Sequence, residues 1–421
     1  MMSRKTQAAA MAAAAIAALL AGCATTSSSG VANSEQATLE VQTNMASGSE
    51  QLTVLTTLAQ QFEKEHTNVK LELIPSSQTY EQDIKVKLAA KEAPDIWQTH
   101  GWSRDRYAEF LAPLQDRSWN ADVNTLLDGS MRKEDGSIYA VPMVTDVAGL
   151  IYNADVLKKV GVDPATLTTW DAFDAAAAKI KAAGVVPIEV SGKANGPAGN
   201  IIDWMAPGMF TDTELSAFKA GQFQSEGYRS MLSTVADWSK KGYFNPDYSS
   251  ATQDDVAKAL GAGKAAFVFS QNSVVSNAWT TSPDAALGFM PVPSKVGKPY
   301  LIGGEGIAYG ASASGAHVDA AKEFLDYLAQ PASQEAFAKA SGGVPGIATA
   351  KTDLGKLQTS YDAWVVKAGT SLVPYYDRVY LPNGLWNTLV TSTDSVITGQ
   401  GTPESATSQV EKDFTSLYGQ K

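Results

Sequence analysis

The order of segments along this sequence predicts an α/β fold built from parallel sheets with helices on both faces. Two observations support that prediction. Strand-like and helix-like segments alternate through the chain, which is the pattern of repeated βαβ units. The chain also has 421 residues, 44% of them hydrophobic, which is more than a single core ordinarily holds. We therefore expect two α/β domains.

The N-terminal part of this pattern is the clearest. Thr38–Val41 and Val69–Ile74 predict strands, the second by strict alternation of apolar and polar residues. Between them, Leu52–His66 carries apolar residues at helical spacing. Tyr80–Ala90 predicts a second helix, and Pro94–Trp97 starts a buried strand. Ligands of such sheets bind outside the carboxyl ends of the strands, so the loops that follow these strands are candidate sites.

The middle of the chain continues the alternation. Thr169 is a good N-cap for a helix that runs to about Ala183, and Gly184 ends that helix. Val185–Val190 predicts a strand, and the loop Gly192–Gly199 after it is rich in Gly, Asn and Pro. A strand followed by such a loop is again a place where a ligand could bind.

The N-terminus predicts export. Arg4 and Lys5 precede the short, alanine-rich apolar stretch Ala8–Leu20, an arrangement typical of a signal peptide. The stretch is shorter than the roughly 20 residues that a membrane-spanning helix needs.

The only cysteine, Cys23, follows this stretch in the sequence Leu20–Cys23. The sequence resembles the lipobox of bacterial lipoproteins, in which that sulfur is acylated. We expect residues 1–22 to be a signal peptide, 23–37 a flexible tether, and the protein to sit on the outer face of the cell membrane through its lipid. The alternative is an ordinary signal peptide that happens to contain a cysteine.

Composition excludes several other functions. The formal net charge is −11, and no stretch is dense in Lys or Arg, so nucleic-acid binding is not expected. With one cysteine and three isolated histidines, His66, His100 and His317, we expect no disulfide, no metal site and no cofactor.

Several short segments occur together in an order that resembles one family. They are Phe62–His66, Ala93–Ile96, Val141–Pro142, Gly149–Leu157, Thr169–Phe173, Lys241–Asp247, Gly263–Phe267 and Asn383–Trp386. Each is weak alone. Their order and spacing resemble the extracellular solute-binding proteins of ABC importers, specifically the family 1 sugar-binding proteins typified by maltose-binding protein.

The resemblance implies a two-lobe, periplasmic-binding-protein-like fold of type II, with the ligand cleft between the lobes. The N-terminal lobe is expected to comprise residues 38–142 and 290–331, and the C-terminal lobe residues 146–287 and 332–421. Crossovers at the back of the cleft would act as a hinge. The expected function is capture of an oligosaccharide and its delivery to a permease, without catalysis, by a monomer.

A sugar site needs hydrogen-bonding groups for the hydroxyls and aromatic rings for the apolar faces. Trp386 occupies the position where the maltose-binding pattern carries a stacking tryptophan. Asp146 matches a cleft carboxylate at the end of the crossover strand. For Trp386 the alternative is a core tryptophan at the start of a helix. For Asp146 the alternative is a helix cap or a hinge ion pair. Further candidates follow predicted strands or lie in polar loops: Ser47, Glu50, His100, Trp102, Asn195, Trp204, Gln271, Asn272, Glu305 and Asp377.

Solvated loops or plain turns remain the alternatives for those further candidates. Ser270–Ser273 lacks the tryptophan that the family usually has there, so amide hydrogen bonds are expected instead. Five other tryptophans are expected in the core, namely Trp97, Trp119, Trp170, Trp238 and Trp364.

Two other functions remain open. One is a receptor for a non-sugar solute such as a peptide, polyamine or metal. The other is a secreted glycosidase, which needs two carboxylates about 5–10 Å apart; Asp146 and Glu305 are the pair that the sequence offers. The family resemblance argues against the glycosidase.

Overall fold

The computed structural model describes residues 36–75, 80–99, 104–194 and 196–418, with the side chain of Glu305 excepted. The strands of these residues are β1 (Ala37–Thr43), β2 (Val69–Pro75), β3 (Ile96–Thr99), β4 (Val141–Ala148), β5 (Leu150–Asn153), β6 (Val186–Ile188), β7 (Ala265–Phe269), β8 (Leu287–Met290), β9 (Leu301–Ala311), β10 (Val344–Pro345) and β11 (Leu372–Pro374).

Helices alternate with these strands. The α-helices of the described residues are α1 (Glu50–Glu65), α2 (Tyr80–Ala90), α3 (Arg104–Tyr107), α4 (Asp128–Met131), α5 (Ala154–Lys159), α6 (Trp170–Ala182), α7 (Pro197–Met205), α8 (Asp212–Lys219), α9 (Ser225–Lys240), α10 (Gln253–Gly261), α11 (Ser273–Thr281), α12 (Val318–Leu328), α13 (Pro331–Ser341), α14 (Gln358–Tyr361), α15 (Tyr376–Tyr380), α16 (Trp386–Ile397) and α17 (Pro403–Tyr418). Short 3₁₀ segments and a π-helix at Asp362–Lys367 lie between them.

The strands form two separate sheets. Among the described residues, seven strands make the larger sheet in the order β10-β4-β9-β3-β1-β2, with β11 paired to β9, and four make the smaller one in the order β6-β7-β5-β8. The α/β class is confirmed, but the expectation of parallel sheets is only partly right. β1 pairs in parallel with β2 and β3, whereas β9 is antiparallel to β3 and β4, and β5 is antiparallel to β7 and β8. These antiparallel strands flank the places where the chain passes between sheets, so no crossover helix sets their direction.

Each sheet has its own hydrophobic core. The first core packs α1, α12 and α13 on the larger sheet through buried residues such as Phe62, Phe324 and Phe337. The second core surrounds the smaller sheet and includes Phe173 and Trp238. Each sheet with its large core forms one lobe. A third buried cluster, which includes Val147 and Leu301 of the larger sheet and Ile151 and Phe289 of the smaller one, joins the two.

The five tryptophans expected in the core are all packed against it. Trp97, Trp119 and Trp238 are buried. Trp170 and Trp364 are half-buried against the second core.

The first passage between the sheets is a single residue. β4 belongs to the larger sheet, β5 to the smaller one, and only Gly149 lies between them. A Cβ atom at Gly149 would lie 2.1 Å from the carbonyl oxygen of Met290 at the end of β8, so only glycine permits this approach. The indole Nε1 of Trp204 donates a hydrogen bond of 3.1 Å to the carbonyl oxygen of Gly149, which fixes the peptide at the junction.

We propose later crossings than the sequence analysis expected. Val292 and Tyr300 pack in the second core, so the return falls just before β9 rather than near residue 290. Helix α13 packs in the first core through Phe337, and Ala348 donates a backbone hydrogen bond to Asp122. The third crossing therefore follows residue 348 rather than residue 331.

Candidate functional site

The C-terminal segment brings several polar side chains to the crossing strand. β11 runs parallel to the start of β9, and β9 places Gly304 opposite Asp146 of β4. Tyr375, directly after β11, donates a hydrogen bond from its hydroxyl to Oδ2 of Asp146 over 3.3 Å. The guanidinium carbon of Arg378 lies 3.9 Å from the centre of the Tyr375 ring, a distance at which a cation is attracted by the ring face.

Burial raises the pKa of Asp146, while Arg378 and the Tyr375 hydroxyl oppose that rise. The carboxyl group of Asp146 packs directly on the backbone of Gly306. A Cβ atom at Gly306 would lie 2.6 Å from Oδ1 of Asp146. The orientation of this carboxyl group is therefore set by its neighbours on β9 and after β11.

A second pair of carboxyl groups lies close by. Asp203 in α7 accepts a hydrogen bond of 2.7 Å at Oδ1 from the backbone N–H of Asp377 in α15. Burial raises the pKa of Asp203 well above its ordinary value, and the nearby Asp377 raises it further. Burial also raises the pKa of Asp377, against the opposing effect of Arg378. Two adjacent buried carboxylates cannot both ionise easily, so the pair of carboxyl groups favours holding a proton.

These groups line a cavity of about 350 Å³. Its lining residues are Asn200, Asp203, Gln271, Tyr375, Asp377, Arg378, Pro382, Asn383, Gly384 and Trp386. The lining thus combines one guanidinium group, two carboxyl groups, three amides, the indole of Trp386 and the phenol of Tyr375. Such a set can donate to and accept from hydroxyl groups, and the half-buried indole offers an aromatic surface.

Trp386 is the first residue of α16, and its position depends on a glycine. A Cβ atom at Gly199 would lie 3.1 Å from Cη2 of Trp386 and 2.9 Å from a methyl group of Val390. The bare backbone of α7 thus lets α16 pack closely against it. The half-buried indole also lines a second cavity of about 270 Å³, which shares Asn200, Gln271 and Trp386 with the first.

The structure brings four of the sequence-predicted site residues to this region: Asp146, Gln271, Asp377 and Trp386. Asn272 is also near, but its Nδ2 donates 3.0 Å to the carbonyl oxygen of Val147. That contact ties the start of α11 to the crossing strand. We therefore regard Asn272 as a hinge residue.

The prediction for Trp204 is wrong. Its side chain is completely buried in the second core, and its indole N–H is used by Gly149. An indole in that position cannot offer a face to a ligand. It packs edge-on against Tyr375, with ring centres 5.6 Å apart. Trp204 therefore contacts a residue that lines the cavity without lining it itself.

Ser47 and Glu50 lie in the first lobe, exposed, in the loop after β1 and at the start of α1; neither lines the cavities described above. His100, Trp102 and Asn195 lie outside the described residues. The backbone of Glu305 is in β9 opposite Thr145, and its side chain is outside what the structure describes.

Sequence reasoning missed Asn200, Asp203, Arg378 and Glu189. Glu189 was findable, because it directly follows the strand β6 at its carboxyl end. Arg378 adjoins the predicted Asp377. Asp203 and Asn200 carry no such signal, since they lie inside an otherwise apolar helix.

Among the described residues, no group of three or more His, Cys, Asp or Glu side chains is placed to hold a metal ion. Within those same ranges, no helix has both the length and the apolar character to cross a membrane.

Comparison with known proteins places the chain in a family. The family model for bacterial extracellular solute-binding proteins matches residues 57–382. The chain therefore belongs to the bacterial extracellular solute-binding proteins, as the resemblance of its segments predicted.

Individual relatives agree over nearly the whole length. The chain is 28% identical to the melibiose/raffinose/stachyose-binding protein MelE of Bacillus subtilis over 410 residues, 95% of this chain and 94% of MelE. A crystal structure of the binding protein MsmE of Bacillus subtilis, in an open conformation, is similar with a TM-score of 0.86 and 26% identity, covering 92% of this chain and 99% of that one. A sugar transporter from Bacillus licheniformis in complex with stachyose has a TM-score of 0.77 and 28% identity, covering 90% of this chain and 100% of that one. These structures confirm the two-lobe fold.

Proposed function

We propose that this chain is the receptor of an ABC importer and that it captures an oligosaccharide outside the cell for delivery to a membrane permease. The observation that carries the proposal is the cavity beside Trp386, where an indole, a guanidinium group, carboxyl groups and amides line one space. Binding of a sugar uses both the hydrogen-bonding groups and the aromatic ring of this set. Its hydroxyls donate and accept hydrogen bonds, and its C–H faces pack on aromatic rings.

The names of the relatives supply the first ligands to test. MelE is named for melibiose, raffinose and stachyose, and the Bacillus licheniformis protein was crystallised with stachyose. We propose these three sugars for this chain as well. The neutral sugars fit a cavity in which the charge of Arg378 is opposed by Asp377 in the lining and by the nearby Asp146, since such a cavity has no strong preference for an anion.

Binding works by closure of the lobes on the sugar. A ligand that contacts both lobes favours the closed state by its difference in affinity for the two states. The second lobe supplies Gln271, Asp377, Arg378 and Trp386. The first supplies residues after its strands, for which Ser47, Glu50, His100 and Trp102 remain the candidates.

The bound sugar leaves unchanged. The carboxyl group of Asp203 is hydrogen-bonded both to the backbone N–H of Asp377 and to its side chain, whereas a glycosidase holds its two carboxyl groups about 5–10 Å apart on either side of the scissile bond. In this proposal the two carboxyl groups accept hydrogen bonds from the sugar hydroxyls. Incubation with raffinose followed by chromatography tests the point, because released monosaccharide would contradict it.

The decisive experiment is isothermal titration calorimetry of the purified protein with melibiose, raffinose and stachyose. We expect a dissociation constant in the micromolar range for at least one of them, equivalent to about −8 kcal/mol. Glycerol 3-phosphate and spermidine serve as non-sugar controls. Binding of a control and of none of the sugars would refute the proposal.

Attachment to the membrane is a separate proposal. Cys23, which lies outside the described residues, would carry the lipid that holds the receptor at the outer face of the membrane. Replacing Cys23 by Ala should move the protein from the membrane fraction to the medium. If the variant stays in the membrane fraction, another anchor holds it.

A further inference from the structure

The second cavity has features that the proposed function does not use. It lies where β6 and β7 end, next to the first cavity, and the two share Asn200, Gln271 and Trp386 as lining. We call it the Glu189 chamber, after the acidic residue that lines it together with Asn277 and the three shared residues. Because the carboxyl ends of parallel strands are where ligands of such sheets bind, the chamber is a natural extension of the site.

The backbone holds Glu189 in a fixed direction. Its N–H donates to the carbonyl oxygen of Phe267 over 3.0 Å. The next residue, Val190, donates its N–H to Oδ1 of Asn245 over 2.9 Å. Only 5% of Glu189 is exposed. The side chain is therefore a built part of the chamber and not a mobile surface group.

The carboxyl group of Glu189 has no partner among the described residues, either as a hydrogen-bond acceptor or in an ion pair. The described residues that line the chamber include neither Lys nor Arg. Burial, together with the neighbouring Asp247 and Asp255, raises the pKa of Glu189 to about 7. Buried polar groups in proteins are nearly always hydrogen-bonded, so this carboxyl group takes its hydrogen bonds from outside the chain, from water or from a ligand that displaces the water.

The rest of the lining indicates what that donor is. Amides of Asn200, Gln271 and Asn277 line the same chamber as the carboxyl group, and the indole of Trp386 forms part of the wall. This combination suits a ring with several hydroxyls. The volume of about 270 Å³ is below the roughly 300–1,000 Å³ of pockets for drug-sized ligands, which leaves room for one ring.

Apolar residues form part of the chamber wall. Val256, Val268 and Val274 line it and are all buried in the core between α10, α11 and β7. A sugar chain cannot extend through this packed wall.

We propose that the Glu189 chamber binds one terminal ring of the neutral oligosaccharide, with Glu189 accepting hydrogen bonds from the hydroxyls of that ring. This inference rests on the proposed function and adds to it a specificity-determining residue. The chain of the sugar then passes the indole of Trp386, with rings in both cavities.

Calorimetry with raffinose on three variants tests the inference. Glu189→Ala removes the acceptor, and Asn277→Phe puts a bulky ring at the exposed mouth of the chamber without touching the core. Glu226→Gln is the matched control, because Glu226 is an exposed acidic residue of the same lobe, in the first turn of α9. We expect the first two variants to bind raffinose at least tenfold more weakly and the control to bind within twofold of the wild type.

The outcomes separate the two proposals. If the wild type binds raffinose and both chamber variants bind it equally well, the inference is overturned and the proposed function stands. If the wild type binds none of the three sugars, both fail. Spermidine is a further probe: if it binds the wild type and the binding is lost in Glu189→Ala, the chamber takes an amine and not a sugar ring.

Discussion

The hydroxyl of Tyr375 donates a hydrogen bond of 3.3 Å to the carboxylate of Asp146. Asp146 lies in the strand that leads into the first crossing, three residues before Gly149, and Tyr375 lies in the lining of the ligand cavity. The contact therefore joins the crossing strand directly to the candidate site.

Replacing Tyr375 by Phe should reveal that connection. The variant leaves the carboxyl of Asp146 buried without this donor, which should lower the free energy of unfolding by about 1–2 kcal/mol. Denaturant unfolding measures the loss. Tyr380→Phe is the control, since among the described residues the Tyr380 hydroxyl makes no hydrogen bond; an equal loss in both variants would contradict the role of the bond.

Trp386→Ala should weaken raffinose binding roughly tenfold or more, because the variant removes both stacking and buried area, and tenfold is about 1.4 kcal/mol. Trp386→Phe keeps an aromatic ring, so its affinity for raffinose should lie between those of the Ala variant and the wild type. Calorimetry measures both affinities. Equal affinity of the Ala variant and the wild type would remove Trp386 from the site.

Gly149→Ala should destabilise the protein by about 1–3 kcal/mol, since its Cβ would lie 2.1 Å from the carbonyl oxygen of Met290. Gly129→Ala is the matched control. A Cβ atom at Gly129 meets nothing within 4 Å. Because alanine favours a helix over glycine, this variant in α4 should have a free energy of unfolding about 0.5–1 kcal/mol higher than that of the wild type. Thermal unfolding compares the two variants. A stable Gly149→Ala protein would show that the junction can open.

Glu189→Gln should alter how stability depends on pH. The pKa of Glu189 is raised to about 7 from the ordinary 4.5, so the folded state binds a proton that the unfolded chain releases between these values. Stability is therefore full below about pH 4.5 and falls as the pH rises through 7. The Gln variant lacks this fall. At pH 8 it should gain about 1–2 kcal/mol on the wild type, because water in the chamber screens part of the effect.

Unfolding at pH 4.5 and pH 8 measures that difference. Glu226→Gln, which changes an exposed carboxylate, should show the same pH dependence as the wild type. A Glu189→Gln protein with an unchanged pH dependence would mean that Glu189 ionises normally.

Local signals predicted the individual elements well. The strand and helix expected at 69–74 and 52–66 are β2 and α1, and Thr169 caps α6 with a hydrogen bond to the backbone of Ala172. Each depends on neighbours in sequence, either through alternation or through a cap. Local patterns could not give the antiparallel pairing of β9 with β3 and β4, because that pairing joins segments far apart in the chain.

The same distinction applies to the site. Trp386 and Asp377 were found from motif and position, but Asp203 was missed because its partner, the backbone N–H of Asp377, is remote in sequence. The prediction for Trp204 was wrong because it, too, depends on a remote contact. Its position beside a Gly-rich loop suggested exposure, whereas its hydrogen bond to Gly149 holds it in the core.

The bond between Trp204 and Gly149 has a practical consequence for engineering. Asp203 is adjacent to Trp204 in α7 and lines the cavity, so the helix that supports the junction also carries part of the candidate site. Variant libraries aimed at new ligands should therefore leave α7 intact and diversify the loop before α16, where Pro382, Asn383 and Gly384 line the cavity.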